Sequence, residues 1–497
     1  MSNLSELLPA GGADKEFSAV ASGTLSNGQT VILNSDGTVS AVAETTIPTS
    51  IGSESVFGDA VSGAPSNVKT IYDKDNSRFI VGWYDGYGYK LRIGTVSGTT
   101  INWGSITTKS GGYGDLSIAY DSTQGYLLLI EVQSSWDVRV GTISGTTISL
   151  SGNLWGGRSD VYDGLEMSFD KSSGRVLAFA ARDNSNSQYL TCVPFKINSG
   201  SSISIGTATT IISNPYMGPY NDVVYDEVNE QTILATFQSS GTPSGSAFSI
   251  VPITDSGSGG VSVGTRVNVG TSTNTGGSGV SLALSQNSSG NTGIVLCAEY
   301  SGSNYPLNGY AFSVSGGTLT VSSTSRTFET NRTQAGSSSI CYSPTSDKYV
   351  ARWDRQASTA YYSVATVSGT TISSSNGVLN SSNPYSTTLS RIDIDTNTNK
   401  VFLPYGKDVS GTRSANYKLL TPAALVSNSA DFIGITQEAI ADTATGLVTP
   451  QGGVNTSVSS LTTGSDYYVQ NDGTLSTTVS SVPAGRALST TSILLEG

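Results

Sequence analysis

The sequence contains no histidine. That absence removes Ser-His-Asp and Cys-His catalysis, the commonest general base and histidine-ligated zinc. Charge is scarce too: 12% of residues are Asp, Glu, Lys or Arg, against roughly 25% in ordinary soluble domains, which sets charge-driven disorder aside. The three cysteines, Cys192, Cys297 and Cys341, lie far apart without a CxxC pair and read as buried free thiols acting as small hydrophobes. No run of about 18 apolar residues occurs, and the opening MSNLSELLPAGG has neither a basic nor an apolar signal region. The expectation is a soluble chain made in a cytoplasm, without membrane insertion. A net charge of −12 opposes a phosphate backbone, so no nucleic-acid partner is expected.

What is present is glycine, hydroxyl side chains and repetition. An apolar strand ending in an aromatic or aliphatic residue and Asp or Ser, a polar turn and a second apolar strand recur seven times, as in TIYDKDNSRFIVGW, SIAYDSTQGYLLLI and SICYSPTSDKYVAR. The turn opens at Asp73, Asp121, Asp170, Asp226, Ser285, Ser343 and Asp395. The residue before it (Tyr72, Tyr120, Phe169, Tyr225, Leu284, Tyr342 or Ile394) is expected to pack between repeats. Several units close on a second hairpin pattern, such as VRVGTISGTTISLSG, in which Ser-Gly divides two alternating runs. Four-stranded units of about 50 residues in series predict a seven-bladed β-propeller, because such a sheet cannot bury both faces alone.

In that architecture the first and third turns share one face, and both are short and repetitive here, so that face reads as structural. The middle hairpins vary in length and carry Trp83, Tyr84, Tyr87 and Tyr89, then Trp136, then Tyr300, Tyr305 and Tyr310, then Trp353 and Tyr361. Variable aromatic loops on a rigid scaffold suit recognition, and sugar rings have the apolar faces and hydroxyl edges such side chains contact. Trp83, Tyr84, Tyr87, Trp136, Tyr305 and Trp353 are the candidate ligand-binding residues. The alternative is that these aromatics pack between blades.

Outside the repeats the two ends echo each other: NGQTVILNSDGTV and TGSDYYVQNDGTL are hairpin patterns with turns at Asp36-Gly37 and Asp472-Gly473. Because a closed ring brings its first and last blades together, both flanks can build one domain. The expected organisation is an all-β chain with the propeller (58–425) inserted in a small β-barrel-like domain made from 1–57, including an N-terminal arm, and 426–497. The segments ASGTLSNGQTVILNSDGTV, FIGITQEAIADTATG and GSDYYVQNDGTLSTT resemble β-rich modules of tailed-bacteriophage virion proteins, notably of marine and cyanobacterial phages, including capsid-decoration and tail-fibre modules, and YDSTQGYLLLI followed by VGTISGTTISL is similar to propeller-like repeats in large virion structural proteins of those phages. The resemblance implies a virion surface structural protein, assembled in a host cytoplasm, with other virion proteins as partners, to which the aromatic hairpins add a host-surface glycan. A head decoration is the first reading and a tail fibre or receptor-binding protein the second.

Catalytic chemistry has weak candidates. Glycan cleavage needs two carboxylates across a sugar, and Asp222 with Asp226 or Asp160 with Asp163 are turn or strand-end acids without a distinctive motif. The runs from Asp73 to Ser77 and from Asp395 to Asn399 alternate oxygen side chains as calcium loops do, but lack the Gly and closing Glu. No catalytic residue, metal ligand or cofactor is expected.

Overall fold

A computed structural model describes residues 15–496 apart from 62–65, 112–114, 133–134, 157–160, 185–186, 214–216, 239–246, 258, 271–279, 286–290, 300–303, 331–337, 356–358, 381–383, 386–390 and 410–411. The chain divides into two units, Met1–Pro48 with Ala423–Gly497, and Thr49–Pro422.

In Thr49–Pro422 the described strands form seven antiparallel sheets in series. The first runs Ser66–Asp73, Arg78–Tyr84, Gly88–Ser97 and Thr100–Trp103 in chain order. The other sheets repeat it, with first strands at Asp115–Asp121, Val161–Asp170, Met217–Asp226, Val280–Leu284, Ser338–Ser343 and Asp393–Asp395. Each first strand packs beside that of the next sheet, and the last beside the first, so the series closes as a seven-bladed β-propeller. Second strands are apolar without alternation because blades cover both their faces; RFIVGW and YLLLIEV are buried almost throughout. The seventh blade takes its outer strands from the beginning of the unit: Ser50–Ile51 and Ser55–Val61 pair with Thr412–Thr421. The ring therefore begins at residue 49 rather than 58, because a strand without repeat signature completes the last sheet.

The repeat register has a physical basis. Tyr72, Tyr120, Phe169, Tyr225, Leu284, Tyr342 and Ile394 occupy one position on the first strands and none is exposed. The next residue is buried in every blade, and where the turn is described it holds that turn. Asp121 Oδ1 accepts the amides of Thr123 (2.9 Å) and Gln124 (3.0 Å), and Asp170 Oδ1 those of Ser172 (3.0 Å) and Ser173 (3.1 Å). Asp226 and Asp395 do the same. These are Asx turns, in which a short carboxylate replaces a backbone acceptor. Ser343 serves with a hydroxyl, accepting the Ser346 amide (3.3 Å) and donating to Asn399 Oδ1 (2.6 Å).

The other unit contains two five-stranded sheets. One has the order Phe17–Val20, Thr445–Pro450, Phe432–Thr436, Thr30–Leu33, Val39–Ala41, and thus interleaves the two ends of the chain. The second is built from strands between Val454 and Leu495. Ile32, Ile435, Tyr467, Val469 and Ile493 are among the residues of their shared core. The twin turns match: Asp36 Oδ1 accepts from Thr38 Oγ1 (2.7 Å) and N (3.0 Å), and Asp472 Oδ1 from Thr474 Oγ1 (2.7 Å) and N (2.9 Å), which holds both carboxyls below the usual range. Gly37 (φ +85°) and Gly473 (φ +82°) take the left-handed position that closes a three-residue hairpin loop.

Truncating a buried blade-turn carboxylate leaves the turn amides without their acceptor. Asp170→Ala is expected to cost about 1–3 kcal/mol, read as a lowered melting temperature, whereas Asp36→Ala in its exposed turn shifts melting by less. Equal effects would show that burial does not set the cost.

Candidate functional site

The first strand of each blade has a neighbour in its sheet on one side only; its axial edge exposes unpaired N–H and C=O groups. Polar side chains meet across all seven seams of the ring, and at five of them one bonds the backbone edge of the neighbouring blade. Asn67 Nδ2 donates to Asp115 Oδ1 (3.4 Å), and Asp115 Oδ2 accepts the amides of Gly164 and Leu165. Asn221 Nδ2 donates to the Gly164 carbonyl (3.0 Å), and Asp222 Oδ2 accepts Leu282 N (2.9 Å). The Ser281 and Ser338 hydroxyls lie 3.2 Å apart. Ser339 Oγ accepts Ile392 N (2.9 Å), and Asp393 Oδ2 accepts Tyr72 N (2.7 Å), which joins the last blade to the first.

Longer charged side chains cross the axis. Lys69 of blade 1 donates to Glu166 of blade 3, and Arg391 of blade 7 lies 3.6 Å from Glu166 and 4.0 Å from Asp222 of blade 4. Arg391 Nη2 also donates to the Val223 carbonyl (2.8 Å). Register irregularities immediately precede Lys69, Glu166 and Asn221 in their strands; such bulges re-aim side chains. Gly164, at φ +75°, sits within one of them. The result is a charged plug across the channel.

On the first-turn side of this plug the channel opens as a funnel of about 430 Å³. Leu284, Ile340 and Ile394 form its apolar wall, Tyr72 and Tyr342 supply rings, and Arg391 and Asp393 line it with charge. Phe79 packs behind Tyr72 (centroids 5.2 Å apart) and Tyr349 behind Tyr342 (5.0 Å). Lys74 and Glu227 are exposed residues at its mouth. The concavity thus lies on the face that the short turns suggest is purely structural.

The middle-hairpin candidates fare differently. Trp83, Trp136 and Trp353 are 2%, 1% and 0% exposed, so they cannot offer a ring to a ligand. The ladders run further than the loops suggest: Trp83 pairs with Lys90, and Trp353 with Tyr361 inside a ladder that reaches Arg355. Trp83 meets Phe57 edge-on (5.3 Å), Trp136 stacks on Phe195 (5.9 Å) and Trp353 meets Phe328 (6.1 Å), each across a blade seam. They are packing residues, the alternative reading of the sequence. Tyr84 is half-buried and donates to the Gly86 carbonyl (2.9 Å), Tyr305 is half-buried, and Tyr87 is exposed at its hairpin tip. Tyr300 lies outside the described residues. Sequence reading missed the axial set, whose signal was present: the residue four positions before the turn residue is polar in every repeat, at Lys69, Ser117, Glu166, Asp222, Ser281, Ser339 and Arg391.

The Asp222–Asp226 pair is divided between two tasks. Asp222 belongs to the plug, while Asp226 holds its turn. Asp160 lies outside the described residues, and only the backbone of Asp163 is described. In the calcium-like loops the carboxylates already accept N–H donors, and Asn397 Nδ2 donates to Ser77 Oγ (2.7 Å). Among the described residues no group of three acidic or cysteine ligands could hold a metal. The three thiols are buried, which pushes them well above the ordinary cysteine range.

No family model and no curated protein matches this chain. Among solved structures, a mutant of the NanB sialidase from Streptococcus pneumoniae is 12% identical over 74% of this chain and 70% of its own, with a TM-score of 0.42. AofleA from Arthrobotrys oligospora is 11% identical over 70% and 92%, also at 0.42, and a Lactobacillus plantarum protein is 11% identical over 72% and 94%, at 0.35. Likenesses this remote say nothing about what this chain binds.

Burial pushes the Asp222 carboxyl up to about 6; the Arg391 charge opposes that rise and the Glu166 charge adds to it. Between the ordinary carboxylate value and 6, the folded chain holds a proton that the unfolded chain has released. Stability from this group is therefore present at low pH and lost as pH rises through 6. On going from pH 7 to pH 4.5, Asp222→Asn should lose more, or gain less, in melting temperature than the wild type. Identical changes would mean that Asp222 titrates normally.

Proposed function

We propose that the chain is a non-enzymatic structural protein on the surface of a tailed-phage particle, assembled in the host cytoplasm, with the small β-domain attached to the particle and the propeller as the displayed part. The observation that carries this reading is how the sequence resemblance divides. The segments similar to capsid-decoration and tail-fibre modules belong to the unit of Met1–Pro48 with Ala423–Gly497, and the propeller, whose repeats resemble those of large virion structural proteins, is inserted between its two halves. That unit also has apolar residues in water: on the ribbon of Glu44–Ile47 with Ala424–Ser427, Ile47, Leu425 and Val426 are exposed, as suits contact with other virion proteins. A head decoration is preferred to a tail fibre because the sequence carries no heptad or shaft repeat. The tail-fibre or receptor-binding reading draws its support from the axial funnel, which a host-surface glycan could enter.

Mass spectrometry and electron microscopy of purified particles test the proposal. The expected result is many copies per particle, seen as seven-bladed rings on the head. Absence from washed particles, with the protein free in the lysate, would contradict it.

A further inference from the structure

We infer that the axial funnel on the first-turn face is a binding pocket for an uncharged or amine-bearing hexose. This goes beyond the virion reading and does not depend on where the protein resides. At about 430 Å³ the funnel falls within the range of small-molecule pockets. It has the two kinds of surface that a pyranose needs. Tyr72, Tyr342 and Ile394 offer faces for ring C–H groups. Arg391 and Asp393 offer donors and acceptors for hydroxyls: the Arg391 side chain is 30% exposed, and each Asp393 oxygen accepts one backbone amide and keeps lone-pair capacity. The rings are preorganised, since Phe79 and Tyr349 pack against them.

Charge selects among sugars. Lys69 and Arg391 are set against Glu166, Asp222 and Asp393, so the ionised cluster carries a negative excess in a partly desolvated space. A carboxylate or sulfate entering there meets repulsion, and its desolvation is not repaid by Arg391, which is already paired with two carboxylates. A hydroxyl edge or an ammonium group meets neither obstacle. The plug closes the inner end of the funnel, so the ligand enters and leaves by the mouth at Lys74, Glu227 and Pro344.

Saturation-transfer NMR on the full chain, with methyl glucoside, methyl galactoside, methyl mannoside, glucosamine, N-acetylneuraminic acid and glucose 6-sulfate, tests this. At least one neutral or amino sugar should bind and the two acidic sugars should not. Pro344→Trp, at an exposed turn position, narrows the mouth and should weaken binding about tenfold or more, while Val378→Ala on an outer strand leaves it unchanged and both variants melt as the wild type does. Glu227→Trp is a second block should Pro344→Trp not fold. The inference is overturned if no neutral or amino sugar binds at millimolar concentration, if the folded blocked variants bind as the wild type does, or if an acidic sugar binds best.

Discussion

A propeller's first strands face its axis with one edge unpaired, and this single constraint organises the ring. Neighbouring first strands belong to different sheets, so no continuous ladder satisfies the axial amides and carbonyls, although Arg391 N donates directly to the Val68 carbonyl (2.7 Å), and a buried backbone group without a partner costs as much as a lost hydrogen bond. Short polar side chains solve the problem. Asp115, Asp222, Ser339 and Asp393 each accept a backbone amide from the next blade, and Asn221 donates to a carbonyl of the previous one. The bonds are directional, so they fix the register of each blade against its neighbour, which apolar contact alone would leave adjustable. Farther from the axis, where blades diverge, the seams take large rings instead: Trp83, Trp136 and Trp353.

A polar axis has consequences for function. Beside the aliphatic Leu284, Ile340 and Ile394, the channel takes charged side chains, and two of them, Lys69 and Arg391, are long enough to reach acids on non-adjacent blades. Their pairing closes the channel and leaves a blind funnel with a mixed lining. The recognition surface proposed for this protein thus grows out of the same residues that hold the ring together.

Legibility in the sequence followed locality. The seven repeats could be read because each Asx turn needs an Asp or Ser at one place between two apolar strands, and the twin Asp-Gly hairpins because their bonds span a few residues. Ser55–Val61 carried no such mark; its partner lies more than three hundred residues later, at Thr412–Thr421. Trp83 and Trp353 were misplaced because neighbouring Asp, Gly and Arg suggest loops, whereas the ladders extend past both. The funnel stayed hidden for a different reason. Lys69, Glu166, Asp222 and Arg391 are unremarkable singly, and only ring closure turns a polar position repeated at one register into a cluster.

The central claim is that side chains of one blade cap the backbone of the next along the axis. Hydrogen–deuterium exchange resolved to single amides tests it most directly at Tyr72, Leu282 and Ile392, which are bonded to Asp393, Asp222 and Ser339 rather than to another backbone group on that edge. These three amides should exchange among the slowest in the ring, as ladder amides do, and Ser339→Ala should release Ile392 without releasing Leu282. Exchange at the rate of exposed turn amides in the wild type would contradict the account.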